Sequence, residues 1–221
     1  VNASLHREKK RKDAPSANAF NTGDSALRLS DTEDCRIENC CFERNNGTAI
    51  IADGICRRLG VSACSIADCG GGGISLAGGV AVPQPPPATD NRIVGNHVRR
   101  CGLLYWHSVG VSIGLSAKTL VKGNHIHDMP YAGIASSGLR HRWFANWPRP
   151  RPELEALWAE HGDGEPTPKN VKRLLPGHNK IAENIIHHVM GKLDDGAAIY
   201  CHAGHHNTVC DNIVAFTLSE R

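Results

Sequence analysis

The chain has no apolar run long enough to span a bilayer and no recognisable signal peptide. It has no Cys-x-x-Cys pair or other zinc spacing, and no two histidines stand at a diagnostic ligand separation. Neither a metal nor another cofactor is expected. Charge is sparse, +3 over 221 residues, and part of it is gathered in HREKKRK at 6–12. That run reads as a solvated lead-in, so no nucleic-acid partner and no membrane attachment follow from it. The nine cysteines are an odd number, which excludes complete internal pairing. Position 1 is not Met and no N-terminal capping helix is visible, so a fragment or a processed form is expected. At 221 residues there is enough chain for one domain with a sizeable core.

What is present is a repeat. Six segments share a strand-like core: RIENCCF (36–42), GVSACSI (60–66), RIVGNHV (92–98), LVKGNHI (120–126), KIAENII (180–186) and TVCDNIV (208–214). Each carries a leading apolar residue (Ile37, Val61, Ile93, Val121, Ile181, Val209) and a trailing one (Phe42, Ile66, Val98, Ile126, Ile186, Val214). Between them a marker position holds Cys40, Cys64, Asn96, Asn124, Asn184 and Asn212. A second strand recurs around Leu27, Ile50, Ile74, Ile113, Ile134 and Ile199. The undisturbed period is about 24 residues, within the range of solenoids. Short β-branched runs punctuated by Gly, Asn and Asp form strands, not helices. A column of Asn at one bend can hydrogen-bond from rung to rung while occupying turn dihedrals that most residues dislike. Cys40 and Cys64 share one register on adjacent rungs, and Cys69 and Cys101 share another. A spacing of about 4.8 Å would permit disulfides, but such thiols are read as small core hydrophobes.

With NHIHDMPYAGI (124–134) and NIIHHVMGKLDDGAAIY (184–200) on the page, the chain resembles the right-handed parallel β-helix superfamily of pectin-lyase-like proteins. Over roughly 23–221 it is similar to glycoside hydrolases related to family 141, in which an N-x-I-H-D element precedes a D-G-(G/A)-A-I-Y element. The resemblance implies an all-β fold, a right-handed parallel β-helix of about six rungs, with residues 1–22 as lead-in and an insertion at 139–178. It also implies a carbohydrate-active enzyme, a glycoside hydrolase that cleaves a polysaccharide or oligosaccharide with a pair of Asp residues. A secreted, periplasmic or cell-surface location goes with that substrate.

Departures from the period gather in one place. GGVAVPQPPPATDN (78–91) is a proline-rich loop that must leave the coil. Between Asn96 and Ile113 the step is 17 residues instead of ten, with LLYWHS (103–108) as surplus. Between Asn184 and Ile199 it is 15, with surplus in VMGKLDD (189–195). The last two expansions occupy the same bend two rungs apart, with His127 and Asp128 on the rung between. They predict two walls and a carboxylate on the floor. The insertion contains Trp143, Trp147 and Trp158, and PELEALWAEH (152–161) reads as a short helix opened by Pro152. Beside the second-strand Ile column lie Ala49, Gly73, Ser112, Gly133 and Ala198 on one side. Ile51, Ser75, Gly114, Ala135 and Tyr200 lie on the other. Mostly small, they predict an open trough along the coil.

The acidic candidates are Asp128, Asp195 and Asp194. Register places Asp128 and Asp195 on neighbouring rungs near one bend, roughly 5 to 9 Å apart, a range that brackets both glycosidase geometries. One carboxylic acid protonates the leaving oxygen while the other attacks the anomeric carbon or activates water. Asp195 opens the D-G-A-A-I-Y element that the resemblance marks. His127 and His188 share registers around Asp128 and can tune it. With Tyr200, His202, Trp106 and His107 they are the substrate-binding candidates. Two alternatives stay open. A polysaccharide lyase or uronate epimerase on the same fold needs a base and cations for a uronate carboxylate. A non-catalytic adhesion coil needs neither.

Overall fold

The leading and trailing apolar residues of the first five repeats pack into one continuous core, each set stacked on the next, while Val209 and Val214 of the sixth are exposed. The structure, a computed structural model, describes residues 24–77, 88–138, 177–202 and 204–217. Each of six rungs supplies three strands, one to each of three parallel six-stranded sheets. The first sheet comprises β1 (Ser25–Ser30), β4 (Thr48–Asp53), β7 (Ile74–Ala77), β11 (Val111–Gly114), β15 (Ile134–Ser137) and β18 (Ile199–His202). The second comprises β2 (Arg36–Glu38), β5 (Gly60–Ser62), β9 (Arg92–Val94), β13 (Leu120–Lys122), β16 (Lys180–Ala182) and β19 (Thr208–Cys210). The third comprises β3 (Cys41–Glu43), β6 (Ser65–Ala67), β10 (His97–Arg99), β14 (His125–His127), β17 (Ile185–His187) and β20 (Ile213–Ala215). A two-residue pair, β8 (Ala88–Thr89) with β12 (Ser116–Ala117), fills one corner. This is an all-β parallel β-helix of six rungs.

Each seven-residue core read above as one strand is two strands with a bend between them. The residue before the marker takes a left-handed conformation on every rung: Asn39, Ala63, Gly95, Gly123, Glu183 and Asp211. A second left-handed column runs through Arg44, Asp68, Arg100, Asp128, His188 and Phe216, at the bend that leaves the third sheet. The ladder asparagines themselves are not left-handed. Their role is hydrogen bonding. Asn124 Oδ1 accepts from both the backbone and the side-chain N–H of Asn96 at 2.9 Å, and Asn184 does the same for Asn124. Asn96, Asn124 and Asn184 are buried, so each amide satisfies donors that no water reaches. A second ladder, through Asn91, Asn179 and Asn207, caps the backbone N–H of Leu59, Thr119 and Asn179 in the same way.

Register pairs Leu27, Ile50, Ile74, Val111, Ile134 and Ile199 in one inward column. Val111 therefore takes the place expected for Ile113, which pairs with Leu76 and Ser136. Because side chains alternate with period two, a slip of two keeps the same face inward and the pattern alone cannot see it. The step from Asn96 is 15 residues, the same as that from Asn184, so both expansions insert five residues.

The outward column beside these residues, Ile51, Ser75, Ser112, Ala135 and Tyr200, does not form an open trough. Its first four members are buried and Tyr200 is half-buried. After residues 78–87 the described coil continues at Ala88, and after residues 139–176 it continues at Gly177, whose carbonyl accepts from Lys118 N–H at 2.9 Å. The helix expected at 152–161, the three insertion tryptophans and the basic run lie outside the described residues. All nine cysteines are free. Cys64, Cys69 and Cys101 are buried in the core and Cys40 is exposed.

Candidate functional site

The two five-residue expansions bolt onto the rung beside them through backbone hydrogen bonds. Leu103, Leu104 and Tyr105 donate to carbonyls of Cys69 and Gly70, and Met190, Gly191 and Lys192 donate to carbonyls of Tyr131, Met129 and Pro130. Between these walls is an open cavity of about 570 Å³. One wall contributes Leu103 and Trp106, the other Gly191 and Lys192, and Asp128, Met129 and Pro130 form the floor. Arg100, Cys101, Gly102, His188 and Phe216 complete it. Gly102 has φ +81°, and a Cβ there would stand 2.5 Å from Pro130 Cγ, so only glycine lets wall and floor meet.

Three of the charged or titratable lining groups come from the left-handed column at the bend. Arg100, Asp128 and His188 follow one another up the coil because each rung turns at the same residue. Arg100 holds Asp68 through paired hydrogen bonds of 2.7 and 2.8 Å, which lowers the Asp68 carboxyl below the ordinary range and raises the guanidinium. Two of the five guanidinium donors are spent on Asp68, and three remain. The His188 ring stacks on Phe216 at 4.9 Å between centroids.

Behind the cavity the outward face of the third sheet carries four imidazoles. His97 and His125 stack with centroids 4.9 Å apart, and His127 and His187 with centroids 4.8 Å apart. His97 Nε2 lies 2.8 Å from His127 Nε2, and His125 Nε2 lies 2.8 Å from His187 Nε2. His127 Nδ1 is 2.8 Å from Asp128 Oδ2, and His187 Nδ1 is 2.7 Å from His188 Nδ1. Both cavity groups are thus wired to the imidazole cluster. Burial first, then the neighbouring imidazoles, lower the pKa of His97, His125 and His187.

Of the expected site residues, Asp128, His188 and Trp106 line the cavity, and His127 supports Asp128 from behind. Asp194 and Asp195 are exposed and are not part of the lining. Their turn is pinned elsewhere: the Asp195 carbonyl accepts from Tyr131 Oη at 3.3 Å, and Gly196 lies against the same ring. His107 is exposed and its ring packs 5.6 Å from Tyr131. Tyr200 and His202 stack on each other in β18, on a different sheet. Lys192, which lies in the loop surplus VMGKLDD, also lines the cavity and carries no sequence signal of its own. His97 and His125 were missed, although both stand one residue past the marker on adjacent rungs, a register that stacks them.

Among solved structures, the chain is similar to the A-module of the Azotobacter vinelandii mannuronan C-5 epimerase AlgE4. The TM-score is 0.56 at 11% identity, over 87% of this chain and 50% of that one. It is also similar to a protein described as a glycoside hydrolase, with TM-score 0.52 at 16% identity, over 85% of this chain and 29% of that one. The chain thus spans half of the first and under a third of the second, and the likeness is one of fold. No curated protein matches by sequence. The family model for the right-handed β-helix region matches residues 16–146, more than half of the 221. With six parallel rungs and both Asn ladders in register, the chain belongs to that right-handed β-helix family.

Proposed function

We propose that this β-helix is a carbohydrate-active enzyme and that its substrate is an acidic, uronate-containing polysaccharide. One observation carries the reading: a single cavity brings Asp128 and His188 together with two cations, Arg100 and Lys192. A uronate carboxylate between those cations has its charge neutralised, which acidifies the adjacent C5–H. His188 has Nδ1 engaged by His187, so Nε2 is the nitrogen that takes the C5 proton, and Asp128 is the second proton-transfer group. Return of a proton to the opposite face inverts C5. Breaking of the C4–O bond instead releases the leaving chain and an unsaturated sugar. Trp106, half-exposed on the wall, offers a ring face to the pyranose. The epimerase of similar fold is consistent with such chemistry. A secreted, periplasmic or cell-surface location accompanies a polymer substrate.

Hydrolysis is the second reading. It pairs Asp128 with Asp195 or Asp194, one as acid and the other as nucleophile or base. The favouring observation is the Tyr131–Asp195 hydrogen bond, which ties the Asp195 turn to the rung that bears Asp128. The deciding experiment incubates the protein in D₂O with polymannuronate, polygalacturonate and neutral plant-wall glycans. Deuterium at C5 or absorbance of an unsaturated uronate supports the first reading. New reducing ends without either supports hydrolysis. No change in any polymer leaves a non-catalytic coil.

A further inference from the structure

We propose that His97, His125 and His127 form a binding site for a borderline transition-metal ion such as Zn(II), Ni(II) or Cu(II). The inference goes beyond the carbohydrate reading and does not depend on it. Each of the three histidines offers one ring nitrogen, and these ligand atoms lie within 4.8 Å of one another. The closest pair, Nε2 of His97 and of His127, is 2.8 Å apart. Metal–nitrogen bonds of about 2.0–2.1 Å in a tetrahedral shell put ligand nitrogens about 3.3 Å apart. The observed spread brackets that value, and small ring rotations reach it.

Position and support also fit. The three rings project from β10 and β14, neighbouring strands of a rigid sheet, so their spacing is set by the rung distance and not by a loop. His127 turns Nδ1 to Asp128, which leaves its Nε2 for the ion. A carboxylate on the far nitrogen of a ligating imidazole is the support that metal-bound histidines ordinarily have. An all-nitrogen set suits zinc, nickel or copper and does not suit calcium or magnesium, which take oxygen. A three-histidine site leaves a coordination position for water or a substrate oxygen.

A second trio, His178, His205 and His206, also gathers its ligand atoms and would confuse a stoichiometry. The test therefore uses a His178→Asn/His206→Asn background, both positions being left-handed and tolerant of Asn. Chelator-stripped protein is titrated with Co(II), followed by the visible bands of low-coordinate cobalt, with Zn(II) competition. The expected result is one Co(II) per chain, displaced by Zn(II). His97→Gln and His125→Gln should each weaken it by more than about 100-fold, and Asp128→Asn by about 10–100-fold. Circular dichroism establishes that each variant is folded, and two ligand variants keep the test standing if one does not fold. Absence of a Co(II) spectrum in the background protein, or binding unchanged in folded His97→Gln and His125→Gln, overturns the proposal.

Discussion

Nδ1 of His127, the last residue of β14, stands 2.8 Å from Oδ2 of Asp128, the first residue of the bend that follows. His127 belongs to the outward face of β14, whereas Asp128 sits at the left-handed bend and lines the cavity. One contact therefore joins the imidazole cluster to the single carboxylate among the cavity's lining residues. Replacing Asp128 by Asn preserves shape and tolerates φ 55°, so the coil should keep its melting temperature. Turnover on the active polymer should fall about 10²- to 10⁴-fold, as for loss of a proton-transfer group. Wild-type rates from the variant would remove Asp128 from the chemistry.

Lys192 should act on substrate charge. With Lys192→Gln, a charged contact worth about 1.5–3 kcal/mol to an anionic sugar is lost, and KM for a uronate polymer should rise about 10- to 100-fold. Binding of a neutral glycan should not change. Steady-state kinetics on both polymer types, at two salt concentrations, make the comparison.

The Asn ladder should be stiffest in the middle. Asn124→Ala leaves the buried backbone and side-chain N–H groups of Asn96 without an acceptor, at about 1–3 kcal/mol each. Asn212→Ala, on the half-buried sixth rung, lets water replace the lost acceptor and should cost clearly less. Urea unfolding of the two variants side by side gives the difference, and equal losses would count against the ladder as a stabilising device.

Gly102→Ala meets Pro130 at 2.5 Å and carries a side chain into a left-handed backbone. Strain of about 1–2 kcal/mol from the dihedral adds to the overlap, so the melting temperature should drop. Gly95→Ala has the same sign of φ but nothing within 4 Å, and should cost only the dihedral part.

Stability should also depend on acid through the ion pairs at the bends. Arg100 depresses the Asp68 carboxyl, and Arg58 depresses Asp34, below the ordinary carboxylate range. A group whose folded pKa is lowered contributes stability above its unfolded value, about 3.9, and loses it as pH falls through the folded value. Asp68→Asn should therefore lower the urea midpoint slightly near neutrality, an exposed pair being worth little, and the difference from the parent should disappear as pH falls from about 4 to about 2.

The rung register, its leading and trailing core residues and the coincidence of two expansions at one bend were legible in the chain, because a solenoid repeats one local rule. Apolar residues at fixed spacing must stack on their equivalents, and five inserted residues must bulge at the bend that receives them. What the pattern could not carry was anything with period-two ambiguity or dependence on a neighbouring rung. Val111 in place of Ile113 leaves the same face inward, and the division of each core into two strands depends on a bend whose left-handed residues include Ala63 and Glu183, types that do not announce it. Asp128 could be placed from sequence because its own rung is undisturbed. Asp195 could not, since its turn answers to Tyr131 from the rung before. The shared register of His97 with His125 is written in the repeat, but the cluster's contacts are decided by the tertiary structure: His97, His125, His127 and His187 come from three rungs up to 90 residues apart in sequence, and parallel stacking at the spacing of hydrogen-bonded strands brings their nitrogens together.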